Sequence, residues 1–464
     1  MNNEAEAEPY PPKTPATPNV HFGLFGSAAK HRRLPAKDRK RILLLQGPVG
    51  PFFKHLQSHL ENQGFDAWRI CFNAGDNVYS NRKNRIAYEG GTDHWSEWFS
   101  TFLKTSDIDF LIVFGCERDI HRIAIAHARA AGVHVISLEE GYIRPGFVTI
   151  ENGGNNRMSP LAGYVPDELS ALPAQSASPA GDFNSFRTMC LHGCTYYIAR
   201  NILTNPAQRK TFHKDRALVS EAFYWVRNVY RRLAHQALNF STLQTLLEHH
   251  DRRYFIVPLQ VPDDMQLRAA SHGWTNEKLV MSAISSFANH APETHRLVFK
   301  IHPLERGHSN HREFIRQRAK VNNISHRVDV IDAGSLGLLV RHSAGMITIN
   351  STSGLSAIAH GVPLMVIGDA IYSNPRLAIC AQGNPDFRSF WTATPVADAP
   401  LRKAYLHWIA EKCLVAGDFY AKDGIKLAAE AIVVKIQSIN TQAQKSFGAA
   451  PLSVDASQQR LHVI

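Results

Sequence analysis

The 464-residue chain has no apolar run approaching the ~20 residues that span a bilayer, and its opening stretch, MNNEAEAEPYPPKTPATPNVHFG, lacks the basic-then-apolar pattern of a secretory leader. A cytoplasmic protein is expected, with any membrane contact peripheral. Cysteine is scarce: Cys71, Cys116, Cys190, Cys194, Cys380 and Cys413 are scattered, and the one close pair has three residues between its members, which is neither a zinc nor a redox spacing. Reduced thiols, no metal site and no cofactor are expected. Neither GxGxxG nor a P-loop occurs, and no motif that reads RNA or DNA is present, so nucleic acid is not an expected partner. Acidic residues are the minority, 40 against 51 Lys and Arg, a net charge of +11 that favours anionic partners without choosing among them.

What is present suits a globular enzyme-sized protein. At 44% hydrophobic residues the chain can bury large cores, and its length asks for two or three of them. Residues 1–40 are rich in proline and charge without periodicity and read as a disordered, basic-ended tail. From Arg41 short apolar runs bounded by turns alternate with amphipathic helical stretches, the pattern of buried parallel strands in a Rossmann-like domain over residues 41–165. Residues 166–250 read as a linker and a basic-aromatic helical segment containing Tyr224, Trp225, Arg227, Tyr230, Arg231 and Arg232. Two readings are open there: a helix with a buried aromatic face and a solvated basic one, or a surface for a membrane or an acidic acceptor. The strand-helix rhythm resumes over 251–375 as a second Rossmann-like domain, followed by helices over 376–440 and a flexible tail over 441–464. The expected fold is α/β, two Rossmann-like domains in a GT-B-like arrangement with C-terminal helices packing back.

In such sheets ligands collect where strands end, so the residues after each apolar run carry the information. RILLLQ is followed by a glycine-rich turn; Gln46, Gly47 and Gly50 are candidate ligand contacts there. VHVISL is followed by Glu139, Glu140, Gly141 and, three residues on, Arg144. Neighbouring carboxylates at a strand-to-loop junction can divide duties, one entering the cleft and the other anchoring the loop, and a carboxyl against an apolar wall can hold its proton as a general acid must. YFIVPLQ ends at Gln260 and leads to Asp263 and Asp264, a second pair able to act as base or nucleophile. Lys300, His302 and Pro303 follow the next strand; the proline restricts the backbone that aims the imidazole at a phosphate or leaving group. Asn350, Ser351, Thr352, Ser353 and Gly354 open a helix with several hydroxyls and free N–H groups, which suits a phosphate, although capping alone needs only one of them.

The order Glu-Glu-Gly, His-Pro, Ser-Thr-Ser resembles the motifs of bacterial sialyltransferases and of 3-deoxy-manno-octulosonic acid (Kdo) transferases. More closely, LLLQGPVGPFF, EEGYIRP, VPLQVPDDMQL, KIHP and NSTSGLSAIAHGVPL are similar to the capsule polysaccharide biosynthesis and export family of the KpsS/LipB type, over about Arg41 to Gly368. The resemblance implies a retaining β-Kdo transferase that uses CMP-Kdo, a nucleotide sugar, and builds a Kdo linker on a lipid or glycolipid acceptor, lysophosphatidylglycerol, at the inner face of the bacterial inner membrane, with capsule assembly proteins as possible partners. It implies Glu140 or Glu139 as acid/base, with Glu140 taken as the one that faces the sugar, Asp264 as nucleophile or base, His302 at the leaving group, and Ser351 to Ser353 around the CMP phosphate. The sequence after the His-Pro pair, LERGHSN, has no counterpart in the motif set. The reading from another class is a non-catalytic capsule assembly or export component that binds an acidic glycan or a partner.

Overall fold

The computed structural model describes residues 34–35, 38–167, 183, 185–209, 211, 218–262, 264–392 and 395–448. The apolar run after Lys40 becomes β1 (Arg41–Leu44), buried along its whole length. Its glycine- and proline-rich turn leads into the helix Phe52–Asn62, whose Phe52, Phe53, Leu56 and Leu60 recur at helical spacing and are buried. The same alternation builds β2 (Asp66–Cys71), β3 (Arg85–Ala87), β4 (Phe110–Phe114) and β5 (His134–Glu140). These five strands are parallel in the order β3-β2-β1-β4-β5, and β6 (Phe147–Asn152) adds to β5 antiparallel. β5 does not stop before its carboxylates: Glu139 pairs with Thr149 and Glu140 with Val148, because β6 folds straight back along it.

The second half repeats the plan with β7 (Tyr254–Pro258), β8 (Arg296–Lys300), β9 (Val328–Ile331), β10 (Gly345–Thr348), β11 (Leu364–Val366) and β12 (Ile379–Cys380). All six are parallel, in the order β12-β11-β10-β7-β8-β9. The chain then returns to the first sheet. β13 (Leu414–Ala416) pairs antiparallel with β6, and in the helix Lys422–Gly448 the side chains of Ile425, Ala428, Ile432 and Ile436 join Ile42, Leu44 and Phe52 in one apolar cluster. Two parallel-dominated sheets with the C-terminal helix closing over the first make the GT-B-like α/β arrangement.

The last helix runs past residue 440 to Gly448, the last described residue; Gln442, Ala443, Gln444 and Lys445 are good helix formers. The two halves are joined at the loop after β11. Ile371 donates its N–H to Asn156 Oδ1 at 3.0 Å and accepts from the Gly163 N–H at 2.9 Å, while Tyr142 and Val165 pack into the apolar cluster of the second half.

Between the halves lie the helices Phe186–Leu203, Leu218–Ala234 and Gln236–His249. The expectation of a buried aromatic face and a solvated basic one holds only in part: Arg232 is exposed and Tyr224 half-buried against His308, but two arginines turn inward and several apolar side chains outward. Arg231 donates to the carbonyls of Arg306 and Ser309 at 2.9 and 2.6 Å, and Arg227 to Asn310 Oδ1 at 2.6 Å, whereas Phe223, Val226, Val229, Tyr230 and Leu233 face outward. The turn at 303–310 offers carbonyls that guanidinium groups can satisfy, and its His308 ring meets Tyr224 at 5.0 Å and Trp225 at 6.0 Å between ring centres.

Candidate active site

A cavity of about 770 Å³ opens between the halves, the size of a ligand pocket. The first sheet supplies Gly115, Glu117 and Arg118 after β4, Glu139 and Glu140 at the end of β5, and Arg144 beyond it. The second supplies Asp264 and Gln266 after β7 and His302 and Pro303 after β8. Ser185, Phe186 and Met189 come from the start of the connecting helix, and Asp418 and Tyr420 from the returning segment. Glu139, Glu140, Arg144, Asp264, His302 and Pro303, separated by up to 164 positions in the chain, are thus brought to one cleft.

Alternation along β5 gives the two glutamates different surroundings. Glu139 lies beside Gly115, whose backbone at φ +73° leaves no side chain between the carboxylate and Arg118. Burial and then the negative charge of Asp264 push its carboxyl up to about 7, with Arg118 pulling the other way. Glu140 turns toward the returning segment: burial and Asp418 raise its carboxyl, while Arg144 and a hydrogen bond from Tyr420 oppose them. Asp264 caps the helix Met265–Ala269, accepting the Gln266 N–H at 2.9 Å; burial raises its carboxyl, and that bond, one from Gln260 and the charge of Arg144 favour the ionised form.

His302 accepts the Leu304 N–H on Nδ1 at 3.2 Å, which assigns the proton of the neutral ring to Nε2 and makes that atom a donor. Arg118 is held by Gln46 Oε1 at 3.2 Å and the Gly47 carbonyl at 3.5 Å, and its guanidinium lies 5.3 Å from the Phe114 ring centre. The loop that carries Arg118 is fixed from behind by His121, whose Nδ1 bonds the Gly115 carbonyl at 2.8 Å; burial and the neighbouring arginine lower its pKa to about 3, so it stays neutral and donates.

The other residues singled out in the sequence sit behind this wall. Gln46 and Gly47 act on Arg118; Gly47 is covered by Phe53, and Gly50, at φ +127°, packs on His192. Gly141 is pressed on the carbonyls of Phe147 and Ile143, and Arg144 Nε closes the turn onto its carbonyl at 3.0 Å. Gln260 and Asn350 bond each other, Nε2 to Oδ1 at 2.9 Å and N–H to Oε1 at 3.1 Å, and Asn350 Nδ2 reaches the Gln266 carbonyl at 2.8 Å, tying the ends of β7 and β10 together. Lys300 is buried, which lowers its pKa to about 8, and donates to the Ala333 carbonyl at 3.0 Å. Ser351, Thr352, Ser353 and Gly354 do not line the cavity: Ser353 Oγ donates to Ser351 Oγ at 2.8 Å, the Thr352 carbonyl accepts from Leu355 at 3.1 Å, and Gly354 lies under Tyr372. Asp263 falls outside the described residues.

Five lining residues not among the sequence candidates carry charge or a hydroxyl: Glu117, Arg118, Asp418, Tyr420 and Ser185, whose Oγ donates to Asp418 Oδ2 at 2.8 Å. Glu117, paired with Arg157 at 2.6 Å, and Arg118 follow a buried strand in FLIVFGCERD, the same signal that marked Glu139. Asp418 and Tyr420 have no local signal; only the return of the chain puts them there. Among the described residues no group of three or more His, Cys, Asp and Glu side chains is placed to hold a metal.

The fold and cleft define a two-domain α/β protein of GT-B-like arrangement with an interdomain site that combines carboxylates, arginines and a histidine. Residues 109–420 match the capsule polysaccharide biosynthesis protein family, and the chain belongs to that family. It is 32% identical to the capsule polysaccharide export protein KpsS of Escherichia coli over 82% of this chain and 97% of that one, and 29% identical to the capsule polysaccharide modification protein LipB of Neisseria meningitidis serogroup B over 83% and 93%. Among solved structures it is similar, with a TM-score of 0.39 and 12% identity over 84% of this chain and 99% of that one, to Thermosulfurimonas dismutans KpsC, a beta Kdo 2,7 transferase.

Proposed function

We propose that the protein is a glycosyltransferase that moves Kdo from CMP-Kdo to a lipid acceptor, lysophosphatidylglycerol or a nascent Kdo linker on it, at the inner face of the inner membrane during capsule synthesis. The observation that carries the reading is the meeting of Glu139, Asp264 and His302 in one cleft, with Glu139 poised to exchange a proton near neutral pH. Family membership and the motif resemblance support Kdo as the sugar.

In this reading ionised Asp264 faces the anomeric carbon as nucleophile; burial raises its carboxyl, and the Gln266 N–H, Gln260 and Arg144 oppose that rise. Protonated Glu139 assists departure of CMP and then, ionised, takes the proton of the acceptor hydroxyl. His302 Nε2, Arg118 and Arg144 offer donors and positive charge to the leaving phosphate, the stabilisation that a metal supplies elsewhere, so a chelator leaves the rate unchanged. Glu140, bonded by Tyr420, positions the loop.

The test is mass spectrometry of the product formed from CMP-Kdo and lysophosphatidylglycerol. A Kdo-bearing lipid is expected with the wild-type chain and at least a hundredfold less with Asp264→Ala or His302→Ala. Calorimetric binding of an acidic glycan, with neither CMP binding nor product, would move the reading to a binding component of capsule assembly.

A further inference from the structure

Thirteen of the twenty-one large hydrophobic side chains exposed among the described residues lie between Phe186 and Phe240. They form stripes: Leu191, Ile198 and Ile202 recur at helical spacing on the helix Phe186–Leu203, and Phe223, Val226, Tyr230 and Leu233 on the helix Leu218–Ala234, with Phe240 continuing the row beyond it. Exposure is high, 70% at Val226 and Tyr230 and 72% at Leu203. The two helices touch each other, and Phe186 and Met189 of the first also line the cleft. Scattered single hydrophobics are ordinary on a protein surface; stripes on adjoining helices are not.

The charges around the stripes are of one sign. Among the described residues from Phe186 to Leu246 there are six arginines and one acidic residue; Glu221 is turned inward to His308 at 3.4 Å, as Arg227 and Arg231 are to the turn at 306–310, and Arg200 is buried. Arg187 and Arg232 are exposed. At the far end of the first helix, Leu203 shares a second cavity, of about 820 Å³, with Lys54, Arg82 and Arg85 and with no acidic residue. Apolar side chains with an aromatic girdle and a cationic border are what the headgroup region of an anionic bilayer accepts, the rings at the acyl boundary and the cations at phosphates.

We infer that the outward faces of the helices Phe186–Leu203 and Leu218–Ala234 dock the protein on an anionic lipid bilayer, with Lys54, Arg82 and Arg85 meeting headgroup phosphates at its edge. Docked this way, the helix that carries Phe186 and Met189 runs from the lipid surface to the cleft, and an acceptor lipid reaches the carboxylates without leaving the interface. The inference takes from the proposed function only the lipid nature of the acceptor; the docking itself stands on the surface.

Flotation of the full chain with vesicles tests it. Wild type is expected to float with phosphatidylglycerol/phosphatidylcholine vesicles and much less with phosphatidylcholine alone. Val226→Asp combined with Tyr230→Asp is expected to lower binding at least tenfold, and Arg82→Glu combined with Arg85→Glu to remove the preference for anionic lipid, each with an unchanged melting temperature. CMP release with a water-soluble acceptor analogue is expected to be the same in wild type and in the Val226/Tyr230 variant. Absence of transferase activity in wild type together with face-dependent flotation would sink the transferase reading and leave the docking standing. Wild-type chain that stays with the soluble fraction, a Val226/Tyr230 variant that floats like wild type, or a dimer in ultracentrifugation that the same variant dissolves would overturn the docking, the last by giving the face to a second copy.

Discussion

Glu139 and Glu140 are adjacent in the chain and differ in chemistry because a strand sends neighbours to opposite sides. Glu139 meets a carboxylate across the cleft; Glu140 meets a tyrosine and an aspartate of the returning segment. The sign of the first shift sets two expectations. Protonated Glu139 persists up to about pH 7, so kcat/KM is expected to fall as pH rises through that value, and Glu139→Gln to lose this alkaline limb together with about 10²–10⁴ of the rate. Because the folded carboxyl titrates above its unfolded value of 4.5, the ionised form opposes folding, fully above about pH 7 and progressively less down to 4.5. Glu139→Gln is therefore expected to melt higher than wild type at pH 8, with the gap closing as pH falls, which differential scanning calorimetry at several pH values checks. Equal melting curves at pH 8 would mean that the carboxyl is not held out of solvent.

At the scale of elements, much was legible and some was not, for physical reasons. Short apolar runs bounded by glycine and proline marked the central strands of both sheets because strands buried on two faces tolerate little else. β6 and β13 were hidden: their pairing is antiparallel and, for β13, with a strand more than 250 residues earlier, which no local pattern records. Glu139, Asp264 and His302 stood out because each follows a buried strand; Arg118 carried the same mark, whereas Asp418 and Tyr420 depend on the return of the chain. The polarity of the helix Leu218–Ala234 could not be read either, since periodicity locates an apolar face but not what covers it. The returning helix gives a direct packing prediction. Ile432 and Ile436 are fully buried against the first sheet, so Ile432→Ala is expected to cost about 2–5 kcal/mol in denaturant unfolding, while Val434→Ala on the exposed side of the same helix costs well under 1 kcal/mol.

For the whole molecule, the cleft exists because two sheets present their carboxyl ends to each other and the last helix closes over the first. The halves meet through few polar contacts around Ile371, Gly163 and Asn374, and the cleft between them carries both signs of charge. Such a site binds by bridging, so a ligand that contacts both walls stabilises the fold by mass action. CMP at a hundred times its dissociation constant is expected to add about 2.7 kcal/mol to stability, read as an upward shift of the melting temperature, and His302→Ala to reduce that shift.

The most direct measurement of the central claim, that the facing carboxylates Glu139 and Asp264 perform glycosyl transfer, is single-turnover CMP release from CMP-Kdo with lysophosphatidylglycerol. Wild type, Glu139→Gln and Asp264→Asn would be compared at equal occupancy by CMP, established by calorimetry. The expected result is CMP affinity within a few fold in all three and release at least a hundredfold slower in both variants. Release at the wild-type rate in either variant would contradict the account.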